Sequence, residues 1–191
     1  SDITSVNNVF LQATEDGADD DDITIAANVT STGTSTEVRL RGGADIALNS
    51  GTIGASGAGS NVTVILEADY DGGGTVGGIT SGTGVIAASF LGITAAQSVT
   101  MAGNVDRVAA NISGVGQTFT YTDDDALAIG RVQCVTSVAN IDGVTTNNGA
   151  VNVSTTNGAL TVESADSGAN IDVNAGTSTV SLTAGSSGND N

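Results

Sequence analysis

The sequence predicts an all-β protein, with a parallel β-helix favoured and an antiparallel β-sandwich as the alternative. Three observations carry that expectation. Of 191 residues, 27 are Gly, 26 Thr, 19 Ser, 17 Asp and 16 Asn, all turn-favouring or hydroxyl-bearing types, while Pro, His, Trp and Lys are absent. The branched aliphatics are 21 Val and 13 Ile against 8 Leu, a bias toward side chains that lose χ1 freedom in helices and pack well on a pleated surface. Finally, one short strand template recurs along the chain.

The template reads polar or small, aliphatic, polar, aliphatic, small. Its copies lie at 22–26, 45–49, 61–65, 98–102, 150–154, 159–163, 170–174 and 179–183. Period-two alternation puts both aliphatics of a copy on one side of its strand. Leu160 with Val162, Ile171 with Val173, and Val180 with Leu182 are therefore expected to face inward, and Thr161, Asp172 and Ser181 to face solvent. Phe119 and Tyr121 alternate in the same way within 118–122 and must share a side. The last four copies start 9, 11 and 9 residues apart, separated by Gly-containing turns, a spacing that suits either hairpins or successive faces of a coil.

The interior decides between them. A sandwich core about 10 Å thick calls for large side chains, and this chain offers three Phe, two Tyr and no Trp. A coil interior is narrow and is filled by stacked Val, Ile, Leu and Ala, with Asn, Ser, Thr and Gly at its corners. At about 20 residues per coil the chain would make roughly nine coils and, at about 4.8 Å per coil, a rod of about 40 Å. The whole of 1–191 reads as a single repeat-built unit. After the last copy only Ala-Gly-Ser-Ser-Gly-Asn-Asp-Asn follows, too short to cover a terminal coil with a helix, so the unit is expected to continue into a longer chain or an assembly.

Charge and patterning narrow the function classes. Twenty-one acidic residues face four Arg (Arg39, Arg41, Arg107, Arg131), a net charge of −17 that repels phosphate backbones and anionic lipid. Mean hydropathy is slightly positive at +0.14 and the apolar residues are patterned, which disfavours disorder. No apolar run is long enough to insert as a helix, and 1–4 has neither a basic segment nor an apolar core of a signal peptide. The single cysteine, Cys134, forms no internal bridge and reads as a small buried hydrophobe between Val132 and Val135.

The chemical candidates are the acidic loops. Six carboxylates occur in 15–22 and a D-x-D-G sequence begins at Asp69. Hard oxygen ligands on Gly-rich loops suit Ca2+, and Asp19, Asp21, Asp69 and Asp71 are the candidate ligands. Against this, an EF-hand counted from Asp69 has Gly73 at its fifth position and Thr80 at its twelfth, so the bidentate Glu is missing, and a solvated turn accounts for the same residues. Catalysis is not expected. Without His or Lys a Ser or Thr nucleophile lacks its usual base, and the i, i+2 pairs Asp69/Asp71 and Asp123/Asp125 need no catalytic explanation. The Gly runs at 72–74 and 77–78 lead into no helix and carry no Lys, so they are not phosphate loops. Sequons at Asn28, Asn61, Asn111 and Asn152 are as frequent as the composition alone would give. Such Asn residues suit turns and corners.

The stretch 98–132 combines an aliphatic strand ending in Gly103-Asn104, a Val108-Ala-Ala-Asn111 step, and an aromatic strand leading into Asp125-Ala-Leu-Ala-Ile-Gly130. It resembles the recurring module of large exported bacterial β-strand-repeat proteins, the filamentous-haemagglutinin-like adhesins, and 9–13, 22–27 and 38–41 resemble the same proteins. The resemblance implies a right-handed parallel β-helix, export, and a rod that displays an adhesive surface, here as a passenger segment. The expected function is thus that of a structural or adhesive rod segment, extracellular or at a bacterial cell surface. Its expected partners are flanking repeats or copies of itself joined end to end, with a glycan or surface receptor as candidate ligand. A self-assembling filament or surface-layer subunit, and a carbohydrate-active β-helix, are the alternatives.

Overall fold

Each template copy has one apolar face, and the copies pair in parallel with strands one circuit before or after them, which stacks those faces into a shared interior. The structure, a computed structural model, describes residues 1–13, 21–55, 61–70, 77–135, 139–163 and 172–185. Among these residues there is no helix, and 61% lie in strands. Eighteen strands join in one sheet. Its pairings are parallel throughout, from Ile3↔Val29 near the start to Val151↔Val180 near the end. The exception is a separate antiparallel pair, Arg131–Val132 with Ile141–Asp142. Parallel neighbours are what a coiled stack requires, whereas a sandwich of hairpins would have made template neighbours antiparallel.

The pairings sort into three ladders, one per face of the coil. The first stacks Ile3–Ser5, Val29–Ser31, Thr52–Ala55 and the start of Val85–Ala95. The second stacks Val9–Gln12, Thr36–Gly42, Val62–Ala68, the end of Val85–Ala95 and the end of Val99–Val115. The third stacks Ile23–Ile25, Ile46–Leu48, Ile79–Ser81, the start of Val99–Val115, Phe119–Asp123, Val151–Thr155 and Val180–Thr183. The 17-residue strand Val99–Val115 turns through all three faces. It is the smoothest circuit of the stack, because small residues at Ala102, Gly103 and Ala109 let it bend without interruption.

Seven template copies coincide with strands or strand ends, from Ile23–Ile25 to Val180–Thr183, and the copy at 170–174, described only from residue 172, ends in the strand Val173–Asn174. The coil count differs from expectation. The circuit is near 20 residues where Ile79 pairs with Val99, Val99 with Phe119 and Arg107 with Ala128, and is 17 where Ile86 pairs with Gly103. Elsewhere it lengthens, as in Ile46↔Ile79 and Phe119↔Val151, because extra residues go into corner loops and a surface hairpin. The third face therefore carries seven strands rather than nine, a height of about 30 Å at strand spacing.

Inside, like side chains stack in columns. One runs Leu11, Leu40, Leu66, Ile93, Ala110, Val144, and another runs Ile23, Ile46, Ile79, Val99, Phe119, Val151. Phe119 and Tyr121 share one side as expected, and it is the inner one: both are fully buried, with ring centroids 6.4 Å apart and planes 10° from parallel. Their bulk needs space from the neighbouring coil, and Gly103 provides it: a Cβ there would sit 2.6 Å from Tyr121 Oη. That phenol donates to Asp123 Oδ2 at 2.9 Å, and Asp123 also accepts the Val105 and Asp125 amides, so this buried carboxylate is fully partnered. Burial, above all, raises the Asp123 carboxyl and the Tyr121 phenol above their ordinary values.

Corner ladders follow the Asn expectation at Asn28, whose side chain donates to Asp2 of the coil before and accepts the Thr52 amide of the coil after. Asn148, with φ 61°, does the same for the amide of Thr177. The last coil corrects a further expectation. Leu160, Val162, Val180 and Leu182 pair with the buried inward residues Leu127, Ile129, Val151 and Val153, so their sides are as expected. Their burial is not, since Val162, Val180 and Leu182 remain 46%, 44% and 41% exposed with no described coil lying over them. Val173 is half-buried and Asp172 exposed, while Ile171 lies outside the described residues.

Candidate functional site on the outer face of the second ladder

The side chains that alternate outward on the second face carry most of the chain's chemistry. Their register produces three parallel rows. One row is Gln12, Arg41, Glu67, Thr94, Asn111, Thr145; beside it run Phe10, Arg39, Ile65, Gly92, Ala109 and then Glu37, Thr63, Phe90, Arg107. Arg39, Arg41 and Arg107 all stand on this face, and Arg131 stands on the hairpin that crosses it. The i, i+2 spacing of Arg39 and Arg41 in 38–41 dictates a shared side.

Glu67 joins two of them. Arg39 donates to it through Nε at 2.6 Å and Nη2 at 2.8 Å, and Arg41 Nε donates to the same carboxylate. Burial opposes ionisation of Glu67, but the two guanidinium hydrogen bonds and their charges outweigh it and hold the carboxyl below its ordinary value. Burial likewise opposes the Arg39 charge, and the bond to Glu67 more than restores it. Arg41 also makes cation–π contacts with two rings, 5.5 Å from the Phe10 centroid and 5.3 Å from that of Tyr70. Gln12 closes the group by donating to Tyr70 Oη at 2.7 Å.

Further along, the face is covered from outside. The hairpin Arg131–Val132/Ile141–Asp142 leaves the last coils and lies across the second ladder, packing Val132 and Ile141 on Ile65 and Ala109, with Phe90 and Cys134 at the margin. Gly92 admits it, since a Cβ there would approach Ile65 Cδ1 to 2.7 Å and Ile141 Cδ1 to 3.0 Å. Arg131 pins the hairpin internally to Asp142 at 2.6 and 3.2 Å. Glu37, 1% exposed, fixes it to the wall by accepting the Val135 amide at 2.8 Å. Arg107 lies over Phe90, 5.3 Å from its centroid, and donates to Glu163 at 2.8 Å. Cys134, expected as a buried hydrophobe, is only half-buried, at the margin of a second small core. Burial, and next the charge of Glu37, push its thiol up to about 11.

The hairpin creates two hollows. One, about 420 Å3, lies between Ile65, Glu67, Thr94, Asn111, Ile141 and Thr145. The other, about 170 Å3, lies between Asn61, Thr63, Phe90, Arg107, Arg131 and Val135. A third, about 430 Å3, is the mouth of the first coil, bordered by Ile3, Leu11, Ile23, Ile25 and Val29.

The proposed Ca2+ ligands fare differently. Asp19 and Asp71 lie outside the described residues. Asp21 and Asp69 stand at one corner on either side of Ala44, the Asp21 carbonyl accepting the Ala44 amide and the Asp69 amide donating to the Ala44 carbonyl, with a coil between them. Asp69 has φ 55° there. Among the described residues no three His, Cys, Asp or Glu side chains gather as a metal would need. Sequence reasoning missed the Arg39/Arg41/Glu67 clamp and the hairpin. The first was signalled by the alternation Val38-Arg-Leu-Arg41; the second by no pattern in its own residues, only by Gly92 inside the strand beneath it.

Searches with the chain against protein-family models, curated proteins and solved structures find no match.

Proposed function

We propose that this chain is a rod segment of an exported bacterial surface or matrix protein: a right-handed parallel β-helix that displays its outer second face and joins further coils at its ends. One observation carries the reading. The inward columns reach the last described coil and stay open there, with Val162, Val180 and Leu182 about two-fifths exposed; at the other end Ile3 is 41% exposed beside an apolar mouth whose Ile23 and Ile25 are themselves buried. An open coil end offers apolar side chains together with unpaired strand donors and acceptors, and the surface that satisfies both is another coil. The similarity of 98–132 to filamentous-haemagglutinin-like modules supports the export and adhesive parts of the reading.

Sedimentation velocity and negative-stain microscopy at rising concentration test it. Rods of constant width and growing length are expected. Val180→Asp with Leu182→Asp should keep the fold, since both sites are solvent-accessible in the single chain, and should abolish growth. A chain that stays single at high concentration, or sheets and clumps instead of rods, would overturn the reading. Growth without limit would favour the filament-subunit version of it.

A further inference from the structure

The larger hollow on the outer face has a composition that the rod reading leaves unused. Thr94, Asn111 and Thr145 are register partners on successive coils, so they form a row of polar groups along the stack axis at about 4.8 Å intervals. None of the three, nor Asn140 on the facing hairpin, makes a side-chain hydrogen bond within the described structure, and all four line the same hollow. Ile65 and Ile141 form its apolar floor. The two carboxylates at its edge are already neutralised, Glu67 by Arg39 and Arg41 and Asp142 by Arg131. Its volume of about 420 Å3 falls within the range of small-molecule sites, roughly 300–1,000 Å3.

These features select a ligand by elimination. A free ion finds no uncompensated charge, since Glu37 also acts on Arg39 and balances the second guanidinium at Glu67, and a purely apolar ligand would strand four polar side chains without water. A ligand with hydroxyls on its edges, C–H groups on its face, and a repeat along its length satisfies the row and the floor together. We propose that this hollow binds a neutral oligosaccharide lying along the stack. The inference rests on the reading of the chain as a display scaffold and supplies the ligand class for that display.

The test is calorimetry of the full chain with neutral probes, namely malto-, cello-, chito- and mannohexaose, alongside oligogalacturonate and a heparin fragment as charged probes. At least one neutral probe should bind, with affinity unchanged between 0.05 and 0.5 M NaCl because no net charge is involved. Asn111→Ala and Thr145→Val should each weaken it about 5- to 10-fold, each losing roughly one hydrogen bond. Thr100→Ala, on the third face, should leave it unchanged. Binding of charged probes only, absence of binding to every neutral probe, or indifference to Asn111→Ala and Thr145→Val would overturn the proposal. Sedimentation of the same samples keeps the two readings apart: Val180→Asp with Leu182→Asp should lose rod growth yet bind sugar. Rods that bind no neutral sugar defeat the ligand assignment alone, and sugar binding by a chain that never associates defeats the rod alone.

Discussion

Replacing Gly103 with Ala probes the tightest joint of the interior. The new methyl would lie 2.6 Å from Tyr121 Oη and 3.2 Å from Ile86 Cβ, between two columns that are fully buried. Tyr121 cannot retreat along its strand, because its ring stacks on Phe119 and its hydroxyl is tied to Asp123. The substitution therefore adds overpacking of about 1–3 kcal/mol to partial loss of a hydrogen bond to a carboxylate, itself about 1.5–3 kcal/mol. A destabilisation of about 2–5 kcal/mol is expected in urea unfolding followed by circular dichroism. Tyr121→Phe alone should cost about 1–2 kcal/mol, since Asp123 keeps its two backbone donors. The double variant should cost less than the sum, because removing the hydroxyl removes the atom that the methyl strikes. A coupling of about 1–3 kcal/mol would appear in the cycle. Additive costs would refute the argument, since they would mean that Gly103 and Tyr121 do not compete for one space.

Four other outcomes follow from the same geometry. Glu67 has a lowered carboxyl value, so its contribution is present above the ordinary carboxylate range and lost as pH falls through the folded value; Glu67→Gln should flatten that acid limb of the stability curve. Asp123 has a raised value, so the sign reverses: its contribution is fullest below the ordinary range and declines as pH rises through the folded value. Asp123→Asn, which leaves one of the Val105 and Asp125 amides unpaired, should thus cost more at acid pH than at neutral pH in the same unfolding assay. Cys134, with its thiol at about 11, should alkylate slowly with iodoacetamide at pH 8, and Gly92→Val should speed this severalfold by lifting the hairpin; an unchanged rate would show that the hairpin does not depend on Gly92. If the acidic loops take up Ca2+, millimolar Ca2+ should raise Tm more than NaCl at matched ionic strength, and Asp19→Asn with Asp21→Asn should remove the excess.

The parts of this molecule that the sequence announces are those where neighbours along the chain share one environment. Ile23/Ile25, Val151/Val153 and Phe119/Tyr121 alternate with polar residues, and each pair lies inside because period two leaves no other choice. Circuit length was less legible. A corner loop costs little whether short or long, so Ile46 can find Ile79 as readily as Ile79 finds Val99. The outer face was least legible of all. Ile65 and Ala109 look misplaced on an outward row until Val132 and Ile141 cover them, and the tie from Glu37 to Val135 joins positions 98 apart. Gly92 was the available clue, being an otherwise unexplained Gly inside a strand, the sign of a close approach from outside. The exposure of Val180 and Leu182 has the opposite origin: alternation reports which way a side chain points, and burial also needs a neighbour above it.

Crosslinking across the coil ends tests the central claim, that the stack accepts another coil, most directly. Thr24 and Ser181 are exposed outward residues on the first and last strands of the third face, where Thr24 pairs with Ala47 and Ser181 with Asn152. In a Cys134→Ser background, Thr24→Cys with Ser181→Cys should give a ladder of covalent multimers with a short thiol crosslinker. Each single variant should give at most dimers at a much lower yield. Only monomer from the double variant at high concentration, or multimers formed equally well by either single variant, would contradict end-to-end stacking of coils.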